Sequence, residues 1–226
     1  MNIVQINARL REAYRQSWPV MERVVSSPGV SGPLLIKAPQ GYGVAKKHLV
    51  IVGQQTNGWS NIRDDDKGDP IEYLMNDYEG FALGKNPEGK DWTKYPFFLA
   101  AHELHKKINP EGPELGFVWT NLVRVDQTCE RPTPEIEEAA CGCGLLEKEL
   151  SFLEPDIVIF LTGPTYDERL MKTFPGISFE QMSEGVFVHR LLHHQLPKTS
   201  FRTYHPKYLS FSKQWNILDI LSKMVS

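Results

Sequence analysis

The sequence predicts an α/β protein, a three-layer α/β/α sandwich with a central, mainly parallel four-stranded sheet. Four short runs rich in β-branched and aromatic residues are separated by longer segments with helical spacing. Two of these runs are apolar throughout, which is typical of strands buried on both faces of a parallel sheet. All four end in polar residues or glycine, as expected where parallel strands reach a ligand-binding edge.

Composition favours one large domain. The chain has 226 residues, 41% of them hydrophobic, which is enough for a full core, so we predict a single domain over 1–226. No apolar run approaches the roughly 20 residues of a membrane span, and because residues 1–11 contain no apolar segment of the secretory type, we expect no secretory signal. Three cysteines argue against a disulfide framework and for a reducing compartment. We expect a cytoplasmic protein that needs no membrane and is monomeric.

Charge is distributed unevenly along the chain. Residues 187–213 contain no Asp or Glu but several Lys and Arg, whereas residues 126–156 are dominated by acidic side chains. A basic stretch in a chain whose net charge is −3 is typical of an edge that faces a polyanion. The alternative is a solvated surface that merely lacks carboxylates.

The elements follow in chain order. Residues 1–45 form an N-terminal helix and loop extension: the spacing predicts a helix over 3–17 that Pro19 interrupts, and glycines and prolines predict a loop over 26–45. The first strand covers 49–52. The remaining predicted elements are helices at 70–83, 96–108, 133–153, 165–172 and 211–225, an extended segment at 186–188, and strands at 116–123, 156–161 and 199–204. Asp69-Pro70 and Thr133-Pro134 each predict an N-cap followed by proline in the first helical turn.

The chemistry of the predicted strand ends points to one functional edge. The carboxyl ends of parallel strands lie together, and ligands of open α/β sheets bind beyond them. Here those ends carry Gly53-Gln54-Gln55-Thr56-Asn57, Asn121, Thr162-Gly163 and His205. Amides and a hydroxyl in such numbers are too polar to bury without partners.

These four strand ends resemble the uracil-DNA glycosylase superfamily over roughly residues 45–215. Residues 53–57 are similar to its first motif, which positions the attacking water, and Thr120-Asn121-Leu122-Val123 to the strand whose Asn recognises the flipped base. Residues 155–163 are similar to its third strand. His205-Pro206 and the residues up to Ser210 resemble its second catalytic motif, whose loop enters the DNA minor groove.

The resemblance implies a DNA glycosylase-like protein that hydrolyses the N-glycosidic bond of uracil or a related damaged base after base flipping. Gln55 and His205 are then the catalytic residues. The expected substrate-binding residues are Gly53, Gln54, Thr56, Asn57, Trp59, Phe81, Asn121 and Gly163. The expected DNA contacts are Arg202, Lys207, Tyr208, Leu209 and Ser210. Such a site must hold a base edge, stabilise the departing anion and place a water.

Two assignments within that site stay open. Either Trp59 or Phe81 is expected to stack on the base, with packing in the core as the alternative for each. Either Tyr208 or Leu209 is expected to fill the space that an extruded base leaves. The sequence does not name the preferred base, its opposite partner, or a single- or double-stranded DNA partner.

No metal or cofactor is predicted. In the iron–sulfur branch of the superfamily a Cys follows the second strand, but Val125 stands there, and the three cysteines 129, 141 and 143 cannot supply four cluster ligands. His102 and His105 lack the spacing of a zinc protease, which would require His at position 106.

At one expected catalytic position the sequence differs from the superfamily pattern, and this difference keeps a second function open. The most active members of the superfamily have a carboxylate at the position of Gln55, which can orient a water but cannot carry charge. Asp64, Asp65 and Asp66 would have to fold back to replace it. The alternative is a catalytically weak or inactive nucleic-acid-binding module that keeps the fold and the pocket.

Overall fold

The computed structural model describes residues 1–60, 68–85, 91 and 94–225. Its strands are β1 Leu49–Gly53, β2 Phe117–Asn121, β3 Ile157–Phe160, β4 Ser178–Ser183, β5 Val186–Leu192 and β6 Thr199–Thr203. Its helices are α1 Ile3–Val25, α2 Gln40–Val44, α3 Pro70–Ala82, α4 Pro96–Ile108, α5 Pro134–Cys141, α6 Leu145–Leu153, α7 Asp167–Thr173, α8 Pro206–Phe211 and α9 Ile217–Met224. Within this part of the chain, no helix has the length and apolarity to cross a membrane.

The strands form one mixed sheet in the order β2-β1-β3-β6-β5-β4. The four predicted strands are present and parallel to one another. The prediction of four strands was wrong in number, because a hairpin of β4 and β5 adds two antiparallel strands beside β6. From β1 the chain moves to one side to form β2 and then to the other to form β3. This reversal places a topological switch point between β1 and β3, where open α/β sheets bind ligands.

Helices cover both faces of the sheet. On one face, Thr120 of β2 donates a hydrogen bond to Glu149 of α6, and α1 packs against α5 and α6. On the other face, Gly53 of β1 lies against Phe97 of α4, and α4 packs against α8 and α9. The sheet is therefore the middle of three layers.

The N-terminal helix continues through Pro19, contrary to the prediction. α1 spans Ile3–Val25, and its buried stripe continues past the proline with Met21, Val24 and Val25. Proline removes one backbone donor and clashes with the carbonyl four residues earlier. Pro19 lies on the exposed face, where water can satisfy that carbonyl, so the buried stripe holds the helix together.

Two other predicted helices are divided. The segment 133–153 forms α5 and α6, separated at Gly142–Gly144, where Gly144 has φ 61°, a conformation that glycine adopts without strain. The segment 211–225 forms the end of α8, a turn, and α9. Trp215, predicted on a helical face, lies in that turn and donates a hydrogen bond to Glu103 at 2.7 Å.

The predicted cap at Asp69 is confirmed, since its Oδ1 accepts the backbone N–H of Ile71 at 3.0 Å. Thr133 precedes α5 but its side chain makes no capping hydrogen bond. Asp64, Asp65 and Asp66 lie outside the described residues.

A buried ion pair joins the layers on the α6 side. The Arg124 guanidinium donates two hydrogen bonds to the Glu149 carboxylate, at 2.7 and 2.6 Å. The same carboxylate accepts from Tyr14 of α1 at 2.6 Å and from Thr120 of β2 at 3.1 Å. Because both carboxylate oxygens are fully engaged, the charge is accommodated inside the core.

The free edge of the sheet is covered by a side chain. β2 is an edge strand, and the Tyr78 hydroxyl of α3 donates to the Trp119 carbonyl at 2.9 Å and accepts from the Trp119 N–H at 3.1 Å. The two rings are stacked, with centroids 4.8 Å apart. At Trp119, the tyrosine hydroxyl therefore takes the place of the backbone partners that a further strand would supply.

Candidate functional site

The ends of the parallel strands are joined to one another by hydrogen bonds. The Gln54 side chain, after β1, donates to the Thr162 carbonyl after β3 at 2.7 Å. The Gly163 N–H donates to the Thr203 carbonyl at the end of β6, at 2.9 Å. These bonds join the segments that follow β1 and β3 to the end of β6, at the carboxyl-end edge of the parallel strands.

Gly53 allows two side chains to approach the backbone at this edge. A Cβ on Gly53 would lie 2.4 Å from Asn121 Oδ1 and 2.8 Å from Phe97 Cε2. Such separations are far shorter than van der Waals contact, so the Asn121 carboxamide and the Phe97 ring both occupy the space over Gly53. Asn121 is placed there by the register of the sheet, because it pairs directly with Gly53.

Phe97 also contacts the second predicted site residue. Its ring and the His205 imidazole are nearly parallel, with centroids 6.2 Å apart and planes 13° apart. Phe97 therefore joins Asn121, at the end of β2, to His205, beyond the end of β6. Nothing in the sequence distinguishes Phe97 from a core residue, because it lies in the apolar start of α4.

The protonation state of His205 follows from its position at the start of α8. Its Nδ1 accepts the backbone N–H of Lys207 at 3.2 Å. Burial, with a smaller contribution from Lys207, lowers the pKa of His205 to about 4. At neutral pH the ring is uncharged with Nδ1 as acceptor, so the proton is on Nε2, which can donate.

Gln55 is held by a different group of residues, through Tyr166. Its Oε1 accepts a short hydrogen bond from the Tyr166 hydroxyl, and the Arg131 guanidinium lies over the Tyr166 ring at 4.2 Å. Arg131 in turn is held by Glu137, with both carboxylate oxygens within 2.8 Å. The contacts of the described residues thus join Asn121 and His205 through Phe97, and Gln55 to Tyr166.

Asp126, which was not among the predicted site residues, fixes the loop that carries Gln55. The side chain is 1% exposed. Its Oδ2 accepts the Gly58 N–H at 2.8 Å and its Oδ1 the Cys129 N–H at 2.9 Å. The sequence does show an acidic residue shortly after Asn121, at the end of β2. Its partner Gly58 is 68 residues earlier in the chain, so the sequence alone does not connect the two.

Thr56 and Asn57 occupy different environments in the same loop. Thr56 is buried, and its hydroxyl forms a hydrogen bond of 3.2 Å with Ser31, whereas Asn57 is exposed. Thr56 therefore anchors the loop, and Asn57 is free to face a ligand.

The two aromatic residues expected to stack on the base lie in an aromatic cluster beside β2. Trp59 packs edge-on against Phe81 and Trp119, with centroids 5.5 and 5.6 Å apart. Phe81 is 6% exposed. Both positions match the core alternative, and Phe97 is the aromatic residue that lies against Asn121.

The expected DNA-contacting residues divide into exposed and buried ones. Lys207, Tyr208 and Ser210 are exposed on α8. Leu209 is 0% exposed and packs in the core on the inner side of α8, so of the two residues expected to fill the space of an extruded base, Tyr208 is the one that reaches the surface. Arg202 is 3% exposed and pairs with Asp167 at 3.0 Å, which removes it from direct phosphate contact.

A separate cavity of about 250 Å³ lies between α3, α4 and the edge of β2. Its lining includes Tyr78, Phe81, Phe98 and His102, and none of the strand-end residues described above. It is therefore distinct from the site at the carboxyl ends of the strands. No group of three or more His, Cys, Asp or Glu arranged for a metal ion occurs in the described part of the chain.

Comparison with known proteins adds no family to this geometry. A scan against models of protein families finds no match, and a search of curated proteins finds none either. The structure shows an α/β protein with a six-stranded mixed sheet, and its candidate site lies at the carboxyl ends of the parallel strands.

Proposed function

We propose that the protein is a glycosylase-like hydrolase that cleaves the N-glycosidic bond of uracil or a related damaged base in DNA. The observation that carries the proposal is the group of Asn121, Phe97 and His205 at one edge of the sheet. It combines a carboxamide, an aromatic ring and a neutral imidazole. These are the groups needed to bind a pyrimidine edge, cover its face and donate to its carbonyl oxygen.

Asn121 is suited to recognise the base. A carboxamide both donates and accepts hydrogen bonds, as does the edge of a pyrimidine. No side-chain hydrogen bond engages the Asn121 carboxamide within the described residues. Its position over Gly53 fixes it beside Phe97, whose ring supplies a surface on which a base can stack.

His205 is suited to stabilise the departing base. As the bond between the sugar and the base breaks, negative charge grows on the base and positive charge on the sugar. A neutral imidazole that donates from Nε2 stabilises a carbonyl oxygen whose charge is rising, without needing to lose a proton. Water then adds its oxygen to the sugar carbon and releases one proton to solvent, and the base leaves as an anion that takes up one proton, so the bond cleavage consumes one water and no net proton.

Gln55 is the weak element of this catalytic arrangement. Its amide is neutral and its oxygen already accepts from Tyr166, so it orients a water without stabilising the sugar cation. We therefore expect slow hydrolysis, with His205 contributing most of the rate enhancement.

The test is abasic-site formation in uracil-containing single- and double-stranded oligonucleotides, detected by strand cleavage in alkali. Wild type should produce abasic sites, and His205→Ala should nearly abolish them because the donor is lost. His194→Ala, which changes an exposed histidine away from the site, is the matched control and should retain the wild-type rate. Equal background from all three proteins on every base tested would exclude catalysis.

One observation favours a second function. The only side chain expected to activate water is already engaged by Tyr166, which suits a module that binds a flipped base without excising it. That protein would bind oligonucleotides containing a modified base, with affinity reduced in Asn121→Ala, and produce no abasic sites.

A further inference from the structure

A stack of aromatic rings begins beside the candidate site and ends at the surface. Tyr204 immediately precedes His205, and its ring lies between those of Phe187 and Tyr208. The centroids of Tyr204 and Phe187 are 3.9 Å apart with planes at 20°, and those of Tyr204 and Tyr208 are 4.4 Å apart with planes at 38°. The three rings therefore form one continuous stack, which we call the aromatic stack: Phe187 from β5, Tyr204 after β6 and Tyr208 from α8.

The inner end of this stack is held rigidly. The Arg202 guanidinium lies over Phe187 at 4.5 Å and over Phe179 at 5.0 Å, between two strands of the hairpin. Arg202 is 3% exposed and donates to Asp167 at 3.0 Å. A buried cation fixed by a carboxylate and two rings holds Phe187 in place, so the stack needs little ordering when a ligand binds.

The outer end of the stack is open. Tyr208 is 46% exposed, whereas Tyr204 and Phe187 are half-buried. Beside it, the Lys207 side chain is exposed and has no ion-pair partner within the described residues. The chain from 187 to 213 contains no carboxylate, so the surface at this end of the stack suits a polyanion that carries flat rings.

We propose that this stack binds single-stranded DNA, with an unpaired base adjacent to the target base lying on the Tyr208 ring. The proposal rests on the proposed function only for the position of the target base. Single strands expose base faces that aromatic side chains can cover, whereas in a duplex the neighbouring base pairs already cover them. Tyr208 packs against Tyr204, so it is the end of a platform and does not project as a wedge into a duplex.

Binding is measured by fluorescence anisotropy with a labelled thymine oligonucleotide and with a labelled hairpin duplex, both free of uracil. Wild type should bind the single strand more tightly than the duplex. Tyr208→Leu, which removes the ring from an exposed site, should weaken single-strand binding by about tenfold. Tyr208→Phe, which keeps the ring, should restore single-strand affinity to within about twofold of wild type.

Phe211→Leu is the matched control, because Phe211 is 87% exposed on the same helix but is not part of the stack. Equal weakening by Phe211→Leu and Tyr208→Leu would show general apolar contact and overturn the proposal. So would wild-type affinity in Tyr208→Leu, or no preference of wild type for the single strand. These oligonucleotides contain no substrate base, so binding is tested independently of excision. If no abasic sites form but the preference for single strands depends on Tyr208, the proposed glycosylase activity is refuted and the proposal for the aromatic stack is supported.

Discussion

At the scale of the single residue, His205 caps α8 through Nδ1, and the proton of its neutral ring is on Nε2. Its pKa of about 4 lies below the ordinary value of 6.5. Between these two pH values the unfolded chain binds more protons than the folded chain, so the free energy of unfolding rises with pH. The contribution of His205 is fully present above about pH 6.5 and is lost as pH falls toward 4.

We therefore expect His205→Gln to flatten the acid side of the stability profile, by up to about 1.4 kcal/mol per pH unit. Urea denaturation at pH 4.5, 5.5 and 6.5 measures the slope. His102, whose pKa burial also lowers to about 4, remains in the variant, so part of the slope persists. A histidine carbon resonance of His205 that titrates near 6.5 would contradict the assigned protonation state.

The Tyr166 contact makes side-chain length decisive at position 55. Glu reaches as far as Gln, so in Gln55→Glu the Tyr166 hydroxyl can donate to one carboxylate oxygen while the other faces the water. We expect Gln55→Glu to raise the single-turnover rate by up to about a hundredfold, because a fixed charge stabilises the sugar cation. Gln55→Asp is shorter by one methylene and should gain less. Equal rates for the two variants would mean that the Tyr166 contact does not position the group.

The sequence placed Asn121 and His205 at the ends of parallel strands, as the structure has them, but it did not reveal the groups packed around them. Asn121 and His205 could be found because each ends a recognisable run of strand residues. Phe97 and Asp126 could not, because their roles depend on which segments fold against the site. Leu209 and Tyr208 are adjacent, and only the rotation of α8 decides which one reaches solvent.

At the scale of the element, replacing Pro19 tests how much stability the proline costs α1. It lies within α1, on the exposed face, and removes one helical hydrogen bond. Pro19→Ala should restore that bond and raise the free energy of unfolding by about 1–3 kcal/mol. The measurement is chemical denaturation, with Gln16→Ala in the same helix as the control that changes no backbone donor. A decrease in stability would show that the proline is required in the folded helix.

Tyr78 covers the edge of β2, and its hydroxyl is the only part that the variant Tyr78→Phe removes. The Trp119 N–H and carbonyl would then lose their side-chain partner. Leaving such groups unpaired costs about 1–3 kcal/mol, so we expect Tyr78→Phe to lower the free energy of unfolding by about that much. The urea midpoint falls in proportion. Tyr95→Phe, at an exposed tyrosine, should leave the midpoint unchanged, and equal midpoints for both variants would contradict the edge role.

The parallel strands were predictable from sequence and the hairpin was not. β1 and β3 are continuous apolar runs, which a sheet buried on both faces requires. β4 is Ser-Phe-Glu-Gln-Met-Ser, with every residue at least partly exposed, so its strand character comes from pairing with β5. The break between α5 and α6 was hidden because the apolar pattern resumes after Gly144.

At the scale of the whole molecule, the Arg124–Glu149 pair joins the sheet to the helix layer that contains α1 and α6. Glu149→Gln leaves the guanidinium buried without its countercharge and should cost about 3–5 kcal/mol of the free energy of unfolding. The double variant Arg124→Met with Glu149→Leu removes both charges and should recover most of that loss. Denaturant titration of the three proteins measures the cycle, and a double variant as unstable as Glu149→Gln would show that the polar network itself is needed.

The strand order has a consequence for synthesis of the chain. β6 follows β4 and β5 in sequence but lies between β3 and β5 in the sheet. While a nascent chain is being made, the hairpin can close on its own, yet it has no strand to join until residues 199–203 appear. During that interval β3 presents an unpaired edge, the kind of surface that invites pairing with another chain. The last strand to be synthesised therefore completes the sheet and protects the growing protein from association.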